Sequence, residues 1–478
     1  MPSRPRAGLL FAYDWDRIGF ARSGAGHAFD HAGFDLFSFP SNLRLIGFDL
    51  ERFAERTAAR ARRRGWSAVL SHHEAFGALA AALVAEKLDL PCAPPEAILA
   101  AQHKLHARCV LASVAPEACL RFAALDMVCG DDVPARLPAG FAYPVYAKPI
   151  KAAFSVLARE VGSREALQAH TRFDMAERWL IRRLIEPFDR VCRTRLPTAG
   201  SAHRMLLEEP VDPATPQFNL DGWVFDGQVH ALGVVDAIMH PGTQAFMRWE
   251  LPSRLPASVQ VRALDVARRF LGGIGYDHGF FNLEFFYDDA RDRLTVIECN
   301  PRLASQFSDL YLRVHGVDAH AWSLALALGE DPRLLRREAP RARVAASLVY
   351  RAFAEDEVPT MPDTALRARF AEAFPDGLLF AFGRHGRALR RDLKWTGSHR
   401  YGIVHLDGSD ATELRARTET ASDLLGWRAP YRDDAVGRDT GGARRRLASE
   451  GNRRADVRMC AGRRSVLADD SFNTRRPR

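Results

Sequence analysis

The sequence predicts a multidomain chain of α/β and α+β layers, and three observations carry that prediction. Short apolar strands alternate with helical stretches through the first hundred residues. After residue 206, tight-turn signals separate a succession of antiparallel hairpins. With 478 residues, 47% hydrophobic and 26% charged, the chain has enough apolar material for two to four cores.

Taken in order, Gly8 to Tyr13 is short and apolar, Leu50 to Arg63 amphipathic, Ser67 to Leu70 short and apolar, and Ala75 to Glu86 alanine-rich and helical. That rhythm predicts an open α/β layer over residues 1–100. Leu90-Pro91-Cys92-Ala93-Pro94-Pro95 interrupts it, and Pro94-Pro95-Glu96 suits the start of a helix from Ala97 to Leu111, since the fixed φ of proline is ready for a first helical turn. A domain boundary is therefore expected near residue 100. Val145 to Val161 reads as strand, loop, strand, with Lys148-Pro149 ending the first strand and Lys151 to Ser155 forming the loop. It predicts a small α+β lobe over about 101–205.

In Leu206-Leu207-Glu208-Glu209-Pro210 a strand runs into a proline, which cannot donate a ladder hydrogen bond, so a hinge between sheets is expected there. A larger lobe should follow over about 206–335. Its first hairpin, Asn219 to Phe225 and Gln228 to Val235, turns at Asp226-Gly227, a pair that supplies the positive φ angles of a tight turn. The helix Val259 to Leu271 ends in Gly272-Gly273, and a second hairpin joins Phe280–Tyr287 to Leu294–Asn300. Short strands at Ala346–Tyr350, Leu378–Phe382 and Tyr401–Leu406, with the helix Ala411–Leu425, predict a small separate unit over 336–432.

Composition excludes several classes of function. The longest apolar stretch, Ala75 to Ala85, is about half the roughly 20 residues of a spanning helix, which argues against a membrane protein. Asp14 interrupts the only N-terminal apolar run, so the cytoplasm is the expected location. The seven cysteines are odd in number and never spaced C-x-x-C, so they read as reduced thiols. Of the net charge of +8, residues 433–478 carry +5, with 12 Arg against 7 Asp or Glu. The remaining +3 is too little for a dedicated nucleic-acid binder. That segment has almost no aromatics and no apolar period, and reads as a disordered tail. Lysine occurs only at 87, 104, 148, 151 and 394, so each lysine invites a question.

The second hairpin concentrates the chemistry. Phe281, Leu283, Phe285 and Tyr287 form one apolar face, so Asn282 and Glu284 point the other way. With a turn centred near residue 291, Glu284 falls opposite Glu298 and Asn282 opposite Asn300. Two carboxylates facing each other repel, and one has its pKa raised unless a cation relieves them. Two carboxylates and an amide oxygen are hard ligands suited to Mg²⁺ or Mn²⁺. The competing reading is a solvated hairpin; the strongly apolar flanks, the Asn300-Pro301-Arg302 continuation and two upstream lysines weigh against it.

On these residues the sequence resembles the ATP-grasp superfamily over roughly 100–325, with residues 8–100 similar to the domain that precedes it. The resemblance implies an ATP-grasp fold, with a Rossmann-like first domain and two α+β lobes clasping a nucleotide. It implies Glu284, Glu298 and Asn300 as metal ligands, Lys104 and Lys148 as phosphate contacts, and Arg302 at the acyl-phosphate or substrate end. Glu208, Glu209 and the backbone through Val211 fall where the family binds adenine. It further implies a ligase that activates a small-molecule carboxylate as an acyl phosphate for attack by an amine, with a biotin-carboxylase-like enzyme as a further alternative.

The loop Ile150-Lys151-Ala152-Ala153-Phe154-Ser155 departs from the glycine-rich phosphate loop of many members. Ser155 and Lys151 remain able to contact phosphate, but the missing glycines raise the alternative of a degenerate, non-catalytic ATP-binding protein. Ser305 and Gln306 beside the proposed metal suit substrate recognition, against a helix-capping role for Ser305. His278 is a candidate general base, against the commoner structural histidine. Arg248 and Arg254 are further phosphate candidates, with nothing in the sequence to choose between them.

Overall fold

The computed structural model describes residues 4–23, 26–36, 41–127, 133–134, 136–152 and 156–431. Ser155 and the Arg-rich segment 433–478 lie outside the described residues. The first layer is a parallel sheet in the order β2-β1-β3, built from β1 (Arg6–Leu10), β2 (Ala28–Ala32) and β3 (Trp66–Leu70). Its helices are α1 (Asp14–Ser23), α2 (Leu50–Arg64) and α3 (Gly77–Glu86). Asp49 caps α2 by accepting from the Arg52 N–H, and Gly65 ends it in the left-handed region at φ 65°, which glycine reaches without a Cβ penalty.

The predicted helix from Ala97 to Leu111 is two helices, α4 (Pro95–Gln102) and α5 (Lys104–Val114), broken at His103. The break is tertiary in origin. The Lys104 N–H donates to Ile150 O at 3.2 Å, 46 residues along the chain, while the His103 ring nitrogen caps α5 by accepting from the His106 N–H.

A four-stranded antiparallel sheet follows, in the order β4-β7-β5-β6: β4 (Phe122–Leu125), β5 (Val145–Pro149), β6 (Arg159–Val161) and β7 (Met205–Glu208). Between β6 and β7 run α6 (Arg164–His170) and α7 (Met175–Arg195). The remaining strands make an eight-stranded antiparallel sheet with the order β12-β11-β8-β9-β10-β13-β15-β14. These are β8 (Gln217–Phe225), β9 (Gln228–Met239), β10 (Phe246–Leu251), β11 (Gly279–Asp288), β12 (Arg293–Asn300), β13 (Val344–Ala352), β14 (Leu378–Ala381) and β15 (His399–Gly408). Its helices are α8 (Ala257–Gly273), α9 (Ser308–His315), α10 (Ala319–Ala327), α11 (Thr364–Ala373), α12 (Gly386–Thr396) and α13 (Ala411–Leu425). The β8–β9 turn is the expected one, with φ of 48° at Asp226 and 71° at Gly227.

The strands of 336–432 do not form a unit of their own. β13 pairs with β10, so they extend the same sheet, and residues 1–430 form one compact unit. Pairing β13 covers an edge that β10 would otherwise expose. A shared core on that face, including Trp249, Leu310, Tyr311, Trp322, Val349 and Ile403, joins the early and late strands.

Candidate active site

The site forms where β11 and β12 meet the α4–α5 break and the β5 and β7 strands of the smaller sheet. On β11 and β12, Asn282 lies opposite Asn300 and Glu284 opposite Glu298, the pairing expected from the sequence. The ladder slips between Glu284 and Phe285, which leaves Ile297 as an extra residue on β12. The carbonyls of Val296 and Ile297 then turn to Arg108, accepting from Nη1 at 2.7 Å and Nη2 at 2.8 Å. Lys148 Nζ also reaches Ile297 O, at 3.4 Å.

The two opposed carboxylates are not equivalent. Lys104 Nζ sits 3.0 Å from Glu298, and burial, which pushes the Glu298 carboxyl up, is outweighed by Lys104 and Lys148, so its pKa falls below the ordinary value. Glu284 has no such cation in contact. Burial first and Glu298 second raise it to about 8. Its oxygens accept from Gln217 Nε2 at 3.2 Å and Asn300 Nδ2 at 3.1 Å.

A polar row on β8, the strand beside β11, orients these groups. Asp221 lies opposite Asn282 and accepts from Asn282 Nδ2 at 2.7 Å and from the Tyr311 hydroxyl at 2.6 Å. Asn282 must therefore present its oxygen to Asn300 Nδ2, at 3.1 Å, with Asn219 Nδ2 at 3.3 Å. Because the Asn300 amide nitrogen is committed to Asn282 and Glu284, its carbonyl oxygen is left for another partner. Burial lifts the Asp221 pKa to about 6, against the hydrogen bonds from Tyr311 and Asn282.

Lys148 is 4% exposed and pairs with Glu208 at 2.8 Å; Arg108 Nε takes the other Glu208 oxygen at 2.6 Å. Both Glu208 oxygens are thus engaged by cations, and burial is outweighed so that its pKa lies below the ordinary carboxylate value. Glu209 pairs with Arg293 at 2.7 Å, and its N–H donates to Arg121 O. Val211 follows in irregular backbone and is half-buried. Both carboxylates of this segment are thus occupied by cations within the protein. Lys151 donates to Gln102 Oε1 at 2.8 Å and lies 4.5 Å over the Phe188 ring; burial first, then Lys104, lower its pKa to about 7.

Arg302 reaches the first layer, where it binds Glu74 at 2.8 Å. Tyr13 stacks on His73, the residue before Glu74, with ring centres 5.0 Å apart. Ser305 accepts from the Trp15 indole N–H at 2.8 Å, and Gln306 donates to Ser347 at 2.9 Å, so both side chains are engaged within the protein. His278 is not brought to the site. It lies just before the first residue of β11, six residues from Glu284, with its ring 5.1 Å from that of Phe225 and its Nε2 3.6 Å from Asp226. Arg248 and Arg254 are also withdrawn, both paired to Glu250.

The sequence reading missed Glu74, Arg108 and Asp221. Glu74 follows the C-terminal end of a parallel strand, where open α/β sheets receive ligands, and Arg108 lies one helical turn after Lys104. Gln217, Asn219 and Asp221 alternate as a polar face along β8, the same period-2 signal used for β11.

Glu284, Glu298 and the Asn300 carbonyl oxygen form a hard-oxygen donor set, and the opposed carboxylates are a pair that a divalent cation would relieve. The residues present therefore fit Mg²⁺.

No family model matches the sequence, and a search of curated proteins finds no relative. Solved structures do match. An L-amino acid ligase from Bacillus licheniformis is 16% identical with a TM-score of 0.63, over 89% of this chain and 98% of that one. N5-carboxyaminoimidazole ribonucleotide synthetase from Thermus thermophilus is 19% identical with a TM-score of 0.58, over 88% and 98%. The biotin carboxylase domain of 2-oxoglutarate carboxylase from Hydrogenobacter thermophilus, solved with MgADP, ADP and bicarbonate, is 14% identical with a TM-score of 0.55, over 89% and 91%. The chain has the ATP-grasp fold.

Proposed function

We propose that this chain is an ATP- and Mg²⁺-dependent ligase that activates a small-molecule carboxylate as an acyl phosphate for attack by an amine. The observation that carries the reading is the opposition of Glu284 and Glu298, with the Asn300 side-chain nitrogen committed to Asn282 and Glu284 beside them. Glu284, Glu298 and Asn300 would hold the cation, which when bound neutralises phosphate oxygens. Lys104 adds a compact positive charge at the edge of the same cluster, and Lys148 adds another from below. Ser155 and the backbone of 208–211 are assigned to phosphate and adenine respectively.

In the first step a substrate carboxylate oxygen attacks the γ-phosphorus and the bond to the β-phosphate oxygen breaks, releasing ADP. In the second, the amine attacks the acyl carbon, loses a proton and expels inorganic phosphate. Arg302 orients the carboxylate, and Glu74 holds Arg302 in place. No protein nucleophile is needed, since positioning and charge stabilisation supply the catalysis. The substrates are small molecules met in the cytoplasm. No described helix is long and apolar enough to cross a membrane.

ATP-dependent ADP release with panels of acids and amines tests the reading, together with Mg²⁺-ATP binding to Glu298→Gln. Nucleotide affinity and metal dependence unchanged by that substitution would reject the site. The glycine-free loop at 150–155 favours a second reading, nucleotide binding without turnover, which predicts normal Mg²⁺-ATP affinity and no ADP release with any acid. A carboxylating enzyme would instead release ADP in response to bicarbonate.

A further inference from the structure

The large sheet carries a second pair of opposed like charges that the ligase chemistry above does not use. β13 and β15 pair in a register that sets Arg351 directly opposite Arg400, just beyond a shift at Tyr350. Like charges at directly opposed positions repel. Burial first, and Arg400 second, bring the Arg351 pKa down to about 9. Burial also lowers Arg400; Tyr13 and Asp392 act against the shift and Arg384 with it.

Among the described residues, no carboxylate pairs with either guanidinium. Arg351 donates only to neutral acceptors, Phe246 O at 3.0 Å and Ser398 Oγ at 2.9 Å. Arg400 lies over the Phe382 ring, 4.9 Å from its centre. Asp392 is itself taken by Arg384 at 3.3 Å and His399 at 3.2 Å. Both Arg351 and Arg400 keep partial access to solvent, so a solute can reach them.

An aromatic wall links this pair to the activation centre. Tyr13 stacks on His73, beside the Glu74 carboxylate that holds Arg302, and packs against Trp15 with ring centres 5.0 Å apart. Trp15 meets Phe380 of β14 at 5.7 Å and donates to Ser305, three residues after Arg302. Phe382, under Arg400, lies two residues beyond Phe380.

We propose that Arg351 and Arg400 form an oxyanion subsite that takes a carboxylate or phosphate carried by a substrate, remote from the carboxylate activated at Arg302. Guanidinium groups match either oxyanion with paired hydrogen bonds, and a seated anion removes the repulsion across the two strands. The substrate class is thereby narrowed to acids or amines bearing an additional anionic group, such as a dicarboxylate, an amino acid or a phosphorylated metabolite. That narrowing rests on the ligase reading; the anion site itself does not.

The test is calorimetric titration of the full chain with acetate, succinate, glutarate and inorganic phosphate, each with and without Mg²⁺-ADP. The expected result is binding of at least one of these anions, weakened tenfold or more by Arg400→Gln and partly retained by Arg400→Lys, with Mg²⁺-ADP affinity unchanged. Preference between the carboxylates and phosphate identifies which oxyanion the site takes. Thermal unfolding without added anion separates this role from a structural one: Arg400→Gln should raise the midpoint by relieving repulsion, whereas loss of a structural residue lowers it. Anion affinity equal in wild type and Arg400→Gln, no anion bound by the wild type, or a lowered midpoint would overturn the subsite. Failure of the wild type to bind Mg²⁺-ADP would sink the ligase reading while leaving the anion result to stand or fall by itself.

Discussion

Glu284 and Glu298 face each other across β11 and β12, yet only Glu298 is given a cation by the protein, Lys104 Nζ at 3.0 Å. The asymmetry leaves Glu284 above the ordinary carboxylate range and Glu298 below it. With its pKa at about 8, Glu284 must take up a proton on folding at neutral pH, a cost that an amide of the same shape does not carry, while removing a donor weakens a metal site. Glu284→Gln should therefore raise ligand-free stability by about 1 kcal/mol and weaken Mg²⁺-nucleotide binding at least tenfold. Chemical denaturation and nucleotide titration at varied Mg²⁺ measure the two effects, and loss of stability would contradict the electrostatic account.

Arg108 ties three elements together, through Glu208 on β7 and the carbonyls of Val296 and Ile297 on β12. Truncation leaves Glu208 paired with Lys148 alone, takes the side-chain donor from the buried Val296 carbonyl, and leaves the Ile297 carbonyl only the longer contact from Lys148. Breaking one partner out of a buried ion pair costs roughly 3–5 kcal/mol. Arg108→Ala should lose stability of that order in urea unfolding, and a loss under about 1 kcal/mol, the range of surface pairs, would show that water replaces it.

Asp221 sets the orientation of Asn300 through Asn282 without touching the donor set itself. In Asp221→Leu the Tyr311 hydroxyl and the Asn282 amide lose their acceptor, at a cost of about 1–3 kcal/mol for each buried group left unpaired. The variant should also require higher Mg²⁺ for half-maximal nucleotide binding, because the Asn300 amide is free to flip. Unaltered Mg²⁺ dependence in a folded Asp221→Leu protein would dismiss the orienting role.

His103 caps α5 through a ring nitrogen that must accept a hydrogen bond, one residue before Lys104. Burial first, then His106, lower its pKa from the ordinary 6.5 to about 4. His170, buried beside Leu157 O, is lowered to about 4 by burial as well. Between those values the unfolded chain binds protons that the folded chain does not. Stability is therefore full above about pH 6.5 and falls as pH drops toward 4, by roughly 3 kcal/mol for each histidine as an upper bound. Urea unfolding from pH 7.5 to 4.5 measures this, and His103→Asn, which keeps a capping acceptor that does not titrate, should flatten part of the slope.

The features legible in the chain are those written at short range. The β11–β12 pairing follows from a turn of known length and a period-2 apolar face, and α13 follows from its spacing between an Asp cap and a closing glycine. The polar residues of β8 carried the same signal, but its use depends on knowing that β8 lies beside β11. Where sequence neighbours point elsewhere, the chain is silent. His278 sits only six residues before Glu284, but extended backbone carries it away to the β8–β9 turn, while Glu74, distant in sequence, meets Arg302.

Local spacing and turn chemistry thus specified the elements and the acidic pair, because those depend on periods of two and 3.6 residues. Only the tertiary structure decided the break at His103, the joining of β13 to β10, the capture of Lys148 by Glu208 and the opposition of Arg351 to Arg400. Each of these depends on which sheet edges and helix ends pack together. That choice is made by the summed burial and hydrogen-bond satisfaction of the whole unit and leaves no periodic trace along the chain.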